Sequence, residues 1–154
     1  MRYHRGKEPA GLVAFCLTVF LLLSCAPLIG PYSPTAYENA TSLKAETLAL
    51  MDKATQPYSE HEEEIERLKV EIDKAYEYVN GIQSNSISAR QWEILKNPDG
   101  DLLGKFFLRW KERGTLSEDF IREFKRNIAD AFDLIICLEV NKGEAKECSE
   151  KKGE

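Results

Sequence analysis

The sequence predicts an all-α protein, a small antiparallel bundle of four to five helices. Beyond residue 35 valine occurs only as Val70, Val79 and Val140 while Ala, Leu, Glu and Lys dominate, a balance that favours helix over strand. Apolar residues recur at spacings of three and four, and no run alternates in period two. Short clusters of Gly, Pro, Asn and Ser separate the apolar stretches, which suits the tight connections between antiparallel neighbours.

The first helix is expected over 36–54, with Tyr37, Ala40, Leu43, Leu50, Met51 and Ala54 on one side and Pro57 marking its end. A capping box from Ser59 to Glu62 would open the second, the hydroxyl and the carboxylate each satisfying an end amide. Ile65, Leu68, Ile72, Ala75 and Val79 follow at coiled-coil spacing, and Gly81 can terminate the helix. The third is expected to begin near Ser88, paired with Gln91 as a second capping box, with Ile87 and Trp92 at the positions of a hydrophobic staple. Asn97-Pro98-Asp99-Gly100 reads as a turn. Leu102, Leu103, Phe106, Phe107 and Trp110 share a face of the next helix, which ends at Gly114. The last starts at Thr115 or Ser117, carries Glu118 and Asp119 near its positive end, and presents Ile121, Phe124, Ile128, Ala131, Ile135 and Leu138 to the interior. The helical body is therefore expected over 36–143, followed by a polar tail over 144–154.

Arg2, Arg5 and Lys7 precede an apolar run over 10–23, which closes on Leu22-Leu23-Ser24-Cys25. This order of basic, apolar, small residue and cysteine resembles the signal peptide and lipobox of bacterial lipoproteins. The resemblance implies a signal peptide over 1–24, cleavage before Cys25, and a diacylglyceryl group and an N-acyl chain on Cys25 as the only cofactor expected. One acyl chain binds membranes marginally, whereas two or three hold firmly. Residues 25–35, with Pro27, Gly30, Pro31 and Pro34, would form a tether holding the body clear of the lipid. The implied location is the cell membrane. Ala26 stands where inner-membrane lipoproteins of Gram-negative cells often carry Asp, so in such a cell the outer membrane facing the periplasm is expected. An uncleaved transmembrane helix over 10–29 is the alternative.

Of the 21 basic and 26 acidic residues the leader holds three and one, which leaves 18 against 25, a net charge of −7 compared with −5 for the whole chain. An acidic body of this kind speaks against nucleic acid as a partner, since that needs clustered Lys and Arg. Cys16 would depart with the leader, leaving Cys137 and Cys148 on the exported side, where disulfides persist. A helix running straight through both would hold their Cα atoms roughly 16 Å apart, beyond the bridging limit of about 7 Å. A helix that stops at Asn141-Lys142-Gly143 lets the chain return and a bond form, worth roughly 2–3 kcal/mol. The other reading is a buried Cys137 and a free Cys148.

Little else points to chemistry. His61 and Glu64 share a helix face, but zinc takes more nitrogen or sulfur ligands, and no metal site is expected. Asn97 to Asp101 fails as a calcium loop because Leu95 and Phe106 would fall at ligand positions. No catalytic residues stand out, and no enzyme is expected. Trp92, Phe106, Phe107 and Trp110 are candidates for a partner or pocket surface as well as for the core. The expected function is a non-enzymatic, lipid-anchored envelope protein whose helical body binds an envelope protein partner or supports an assembly, a design similar to the pilotins. The alternatives are a binder of small apolar ligands or envelope-stress sensor, with a cavity lined by Phe107, Trp110 and Phe124, and an enzyme of uncharacterised activity.

Overall fold

Pro34 rather than Ala36 begins the first helix, because proline's fixed φ suits the first helical position and its missing N–H is not needed there. The computed structural model describes residues 30–142 and 148. The expected signal peptide, Cys25 with its expected lipid and, apart from Cys148, the polar tail lie outside the described residues. So does the whole of 10–29, the stretch of the transmembrane alternative; among the described residues no helix is long and apolar enough to cross a membrane.

Five α-helices and no strand occur among the described residues: α1 (Pro34–Met51), α2 (Glu62–Asn80), α3 (Ser86–Lys96), α4 (Leu103–Arg113) and α5 (Glu118–Val140). Cross-links between side chains fix their directions. Lys53 near the end of α1 pairs with Glu64 at the start of α2 at 2.8 Å, while Ser33 before α1 meets Tyr78 near the end of α2. Lys44 and Asp52 of the α1 side pair with Asp133 and Lys125 of α5 in reversed order. Lys96 at the end of α3 reaches Asp73 of α2, and Asn85 before α3 holds Lys142 beyond α5. Helices α1, α2, α3 and α5 therefore run up, down, up and down in a ring, with α4 packed between α3 and α5.

The predicted stripes form the core. All five seam residues of α2 are buried, each removal of such a side chain from water being worth about 1–3 kcal/mol. On α1 Ala36, Ala40, Leu43, Thr47, Leu50 and Ala54 point inward, Ala54 from a 3₁₀ turn, Asp52–Thr55, that ends the helix earlier than expected. Tyr37 is only half-buried. On α5 Phe132 is fully buried, whereas Phe124 and Ala131 pack at the margin.

The helix starts differ from expectation in three places. Ser33 caps α1, its Oγ accepting from the Ala36 amide at 3.2 Å. Ser59 caps nothing: Tyr58–Glu60 is a 3₁₀ turn, and α2 opens after His61, with Glu62, Glu63 and Glu64 complementing its positive end. Tyr58 overrides the local capping box because it is drawn into the core, its amide donating to Gly114 O at 2.7 Å and its ring meeting Trp110 edge-on. Ser88 lies inside α3, fully buried, and the helix starts after Asn85. Ser117 is the cap of α5, as one of the two expected alternatives had it.

The expected tether also ends sooner. Gly30 is buried against the α2–α3 turn so closely that a Cβ there would stand 2.9 Å from Ile82 Cγ2 and 3.0 Å from Gln83 O. Residues 30–33 thus belong to the body rather than to a spacer.

Candidate functional site

Of the two readings of Trp92, Phe106, Phe107 and Trp110, core or partner and pocket surface, the structure places all four in the core, none more than 2% exposed. Phe106 and Phe107 point about 100° apart on α4, and both are buried because the helix is covered on two sides. Phe106 lies among Phe120 and Phe124 of α5 at 6.3 and 6.0 Å between ring centroids. Phe107 faces α2, where Lys69 Nζ stands 5.8 Å from its ring centre. Trp92 meets Phe132 edge-on at 5.9 Å, and Trp110 donates from Nε1 to Gln56 O at 3.0 Å. Among the described residues the open space beside Phe107 is lined by neither Trp110 nor Phe124, and Phe124 stacks on Phe120 at 4.4 Å.

That open space is a groove of about 570 Å³ between α2, the end of α3 and α4. Ile72, Pro98, Leu103, Phe107 and Leu108 supply its apolar part, and Lys69, Lys96 and Lys111 stand at its edge with Asp73 and Glu93. Its shape depends on Gly104. The start of α4 crosses the Lys96–Asn97 backbone so tightly that a Cβ at Gly104 would lie 2.4 Å from Lys96 O. Leu108, off the predicted apolar face of α4, is 37% exposed. Both positions escaped the sequence reading, although an apolar residue on the polar side of an amphipathic helix is a detectable signal.

The three lysines are tied only to exposed carboxylates. Lys96 Nζ pairs with Asp73 at 2.8 Å and sits 4.1 Å over the Tyr76 ring; Lys69 pairs with Glu66 at 2.7 Å, and Lys111 with Glu62 at 3.5 Å. Such surface pairs are worth at most about 1 kcal/mol each and exchange readily.

His61 is engaged locally. Its Nε2 meets Gln56 Oε1 at 2.6 Å and its Nδ1 lies 3.5 Å from Glu64 Oε2, while Lys53 binds that carboxylate from the other side. The hydrogen bond from Lys53 holds the Glu64 carboxyl below its ordinary value, against a smaller opposing effect of burial. Among the described residues no three His, Cys, Asp or Glu side chains converge as a metal-binding group.

The opposite end of the bundle holds a buried polar cluster. Glu139 is wholly buried and Lys142 nearly so, their Oε2 and Nζ 2.9 Å apart; Lys142 also donates to Asn85 Oδ1 at 2.7 Å. Among the described residues neither Glu139 oxygen has a hydrogen bond of good geometry, so its contact with Lys142 is ionic. Beside it Cys137 and Cys148 lie at disulfide distance, with Cα atoms 5.7 Å apart, and Asn141 Nδ2 points at the Cys137 sulfur from 3.2 Å. Glu139 falls on the inward stripe of α5, four residues after Ile135, a register that marks it as buried.

Compared with protein-family models, with characterised proteins and with solved structures, the chain has no match.

Proposed function

We propose that this chain is a non-enzymatic, lipid-anchored protein of the cell envelope whose helical body receives an amphipathic helix of another envelope protein. The anchor rests on the lipobox residues Leu22 to Cys25. The observation that carries the interaction is the groove between α2, α3 and α4, apolar along Ile72, Leu103, Phe107 and Leu108 and edged by three lysines in a chain of net charge −5. A helix that lays leucine-like side chains on such a floor and carries carboxylates along its borders satisfies both features. The carboxylates now paired with the lysines are exposed, so a partner's carboxylates can replace them while apolar contact excludes water and strengthens the new pairs.

The test is a photoreactive amino acid at Leu108 in the living cell. The reading expects a discrete adduct that is lost on combining Lys69→Glu with Lys111→Glu, since charge reversal repels an acidic partner without touching the core. Adducts that persist unchanged in that variant, or their absence at Leu108, refute it. Replacement of Cys25 by Ser tests the anchor separately: the unaltered protein takes up labelled lipid and the variant does not.

A further inference from the structure

We infer that the body stands end-on upon the lipid, on the end of the bundle formed by the start of α1, the α2–α3 turn and the close of α5. The inference rests on the proposed anchor at Cys25 and extends it, because it says how the body is presented.

Chain length comes first. Gly30 is fixed against Ile82 and Gln83, so only five Cα-to-Cα steps separate the packed body from Cys25. Fully extended, these reach about 17 Å. The anchored end therefore cannot rise far above the headgroups, whereas α1, with its 18 residues, carries the other end about 27 Å further along the bundle.

The side chains at that end suit the contact. Tyr32, Tyr78 and Val140 are 53%, 42% and 53% exposed, three of the large hydrophobic residues on the surface. Ser33 Oγ lies 3.0 Å from the Tyr78 hydroxyl, which brings Tyr78 to the residue that follows Tyr32, and the bond from Lys142 to Asn85 brings the end of α5 to the turn that holds Gly30. Tyrosine favours the membrane–water boundary, where its ring is buried and its hydroxyl stays wet. The Lys142 charge at this end is buried against Glu139 while the acidic Glu77 next to Tyr78 is exposed, so the contact draws on the apolar area and suits a zwitterionic rather than an anionic surface. The end is also pinned, by the Glu139–Lys142–Asn85 cluster and by the Cys137–Cys148 pair. A preformed footing loses little entropy on contact.

The full-length, processed protein, reconstituted in phosphatidylcholine vesicles containing brominated phosphatidylcholine, tests this by tryptophan quenching. Trp92 and Trp110 are wholly buried and give a constant background. The added emission of Tyr32→Trp and Val140→Trp is expected to fall roughly twofold or more, and that of Leu108→Trp to change by less than about one-fifth, because quenching by bromine requires close approach to the lipid. Equal quenching at all three sites means a body that tumbles on its leash. No quenching at Tyr32→Trp and Val140→Trp means an end left free, as for a protein partner. Either result in protein whose mass shows an acylated Cys25 overturns the inference alone. An unmodified Cys25 in the same mass spectrum overturns the anchor and the stance together.

Discussion

Replacing Gly104 by alanine adds one methyl group where the start of α4 crosses the end of α3. The new Cβ would stand 2.4 Å from both Lys96 O and Asn97 C and 2.5 Å from Asn97 O, about 1 Å inside ordinary contact. Every obstacle is backbone, so no side-chain rotation relieves it. α4 must move outward by roughly that distance, and the inward packing of Leu103, Phe106 and Phe107 thins with it. Overpacking of this size costs about 1–3 kcal/mol, and alanine's better helix propensity returns at most about 1 kcal/mol. The expected net loss is about 2 kcal/mol, read in urea unfolding as a midpoint lower by about 1 M. Gly100→Ala serves as a control. Its Cβ would come no nearer than 3.3 Å to another atom, so the expected change is within about 0.5 kcal/mol. A Gly104→Ala midpoint equal to or above that of the unaltered protein would refute the close crossing. The shift should also reshape the groove that Gly104 lines, so photoadducts at Leu108 are expected to weaken in parallel.

Cys137 and Cys148 are 11 residues apart, and closing such a loop removes about 2.8 kcal/mol of chain entropy from the unfolded state. Adding reductant should lower the unfolding midpoint accordingly; an unchanged midpoint, with two alkylatable thiols beforehand, rules the bond out. Tyr58 carries a buried hydroxyl without a hydrogen-bond partner among the described residues, and burial, then Glu66 and Glu62, push its pKa above the usual 10.0. Its neutral form is thus favoured in the fold, and that stability is fully present below about pH 10 and lost as pH rises through the higher folded value. Tyr58→Phe should raise stability by up to about 1 kcal/mol at neutral pH and flatten the alkaline decline, checked by urea midpoints at both pH values; a lower neutral midpoint with an unchanged alkaline slope refutes this. Lys142→Met leaves Glu139 buried and unpaired and should cost about 3–5 kcal/mol, whereas adding Glu139→Leu to it should restore most of the loss in thermal unfolding.

The interior was legible where burial follows helical period. The seam of α2 needed only the spacing of Ile65, Leu68, Ile72, Ala75 and Val79, because α1 and α3 flank that helix and leave it one apolar face. Helix starts were less legible because local capping competes with tertiary contact. Ser59 and Glu62 have the right spacing for a box, yet a buried Tyr58, hydrogen-bonded to Gly114, dictates a 3₁₀ turn there. Asn85 likewise spends its side chain on Val79 O and Lys142 rather than on an α3 amide. For the aromatic residues the choice between core and surface stays open in the sequence, because composition cannot tell a helix covered on two sides from one covered on one. The groove depends on Gly104, whose role arises only from the crossing of two chain segments.

The two ends of the bundle do different work in holding it together. At the far end the links through backbone groups and the Trp110 indole are neutral, Leu116 N to Ala54 O at 2.8 Å, Tyr58 N to Gly114 O and Trp110 Nε1 to Gln56 O, all around packed aromatic rings, and the ion pairs there, Lys53 with Glu64 and Lys125 with Asp52, are partly exposed. At the end nearest Cys25 the links are a buried ion pair, an asparagine and a cysteine pair. Buried ions contribute little net stability but tolerate few alternative arrangements, because any displacement leaves a charge without a partner. That end is accordingly built to hold one geometry. Under the proposed anchor at Cys25, such rigidity suits a footing that orients the rest of the body. Lys69 lies eleven residues before Asn80, about 16 Å along α2 from that footing, so the groove would open sideways above the lipid, within reach of a partner in the same envelope.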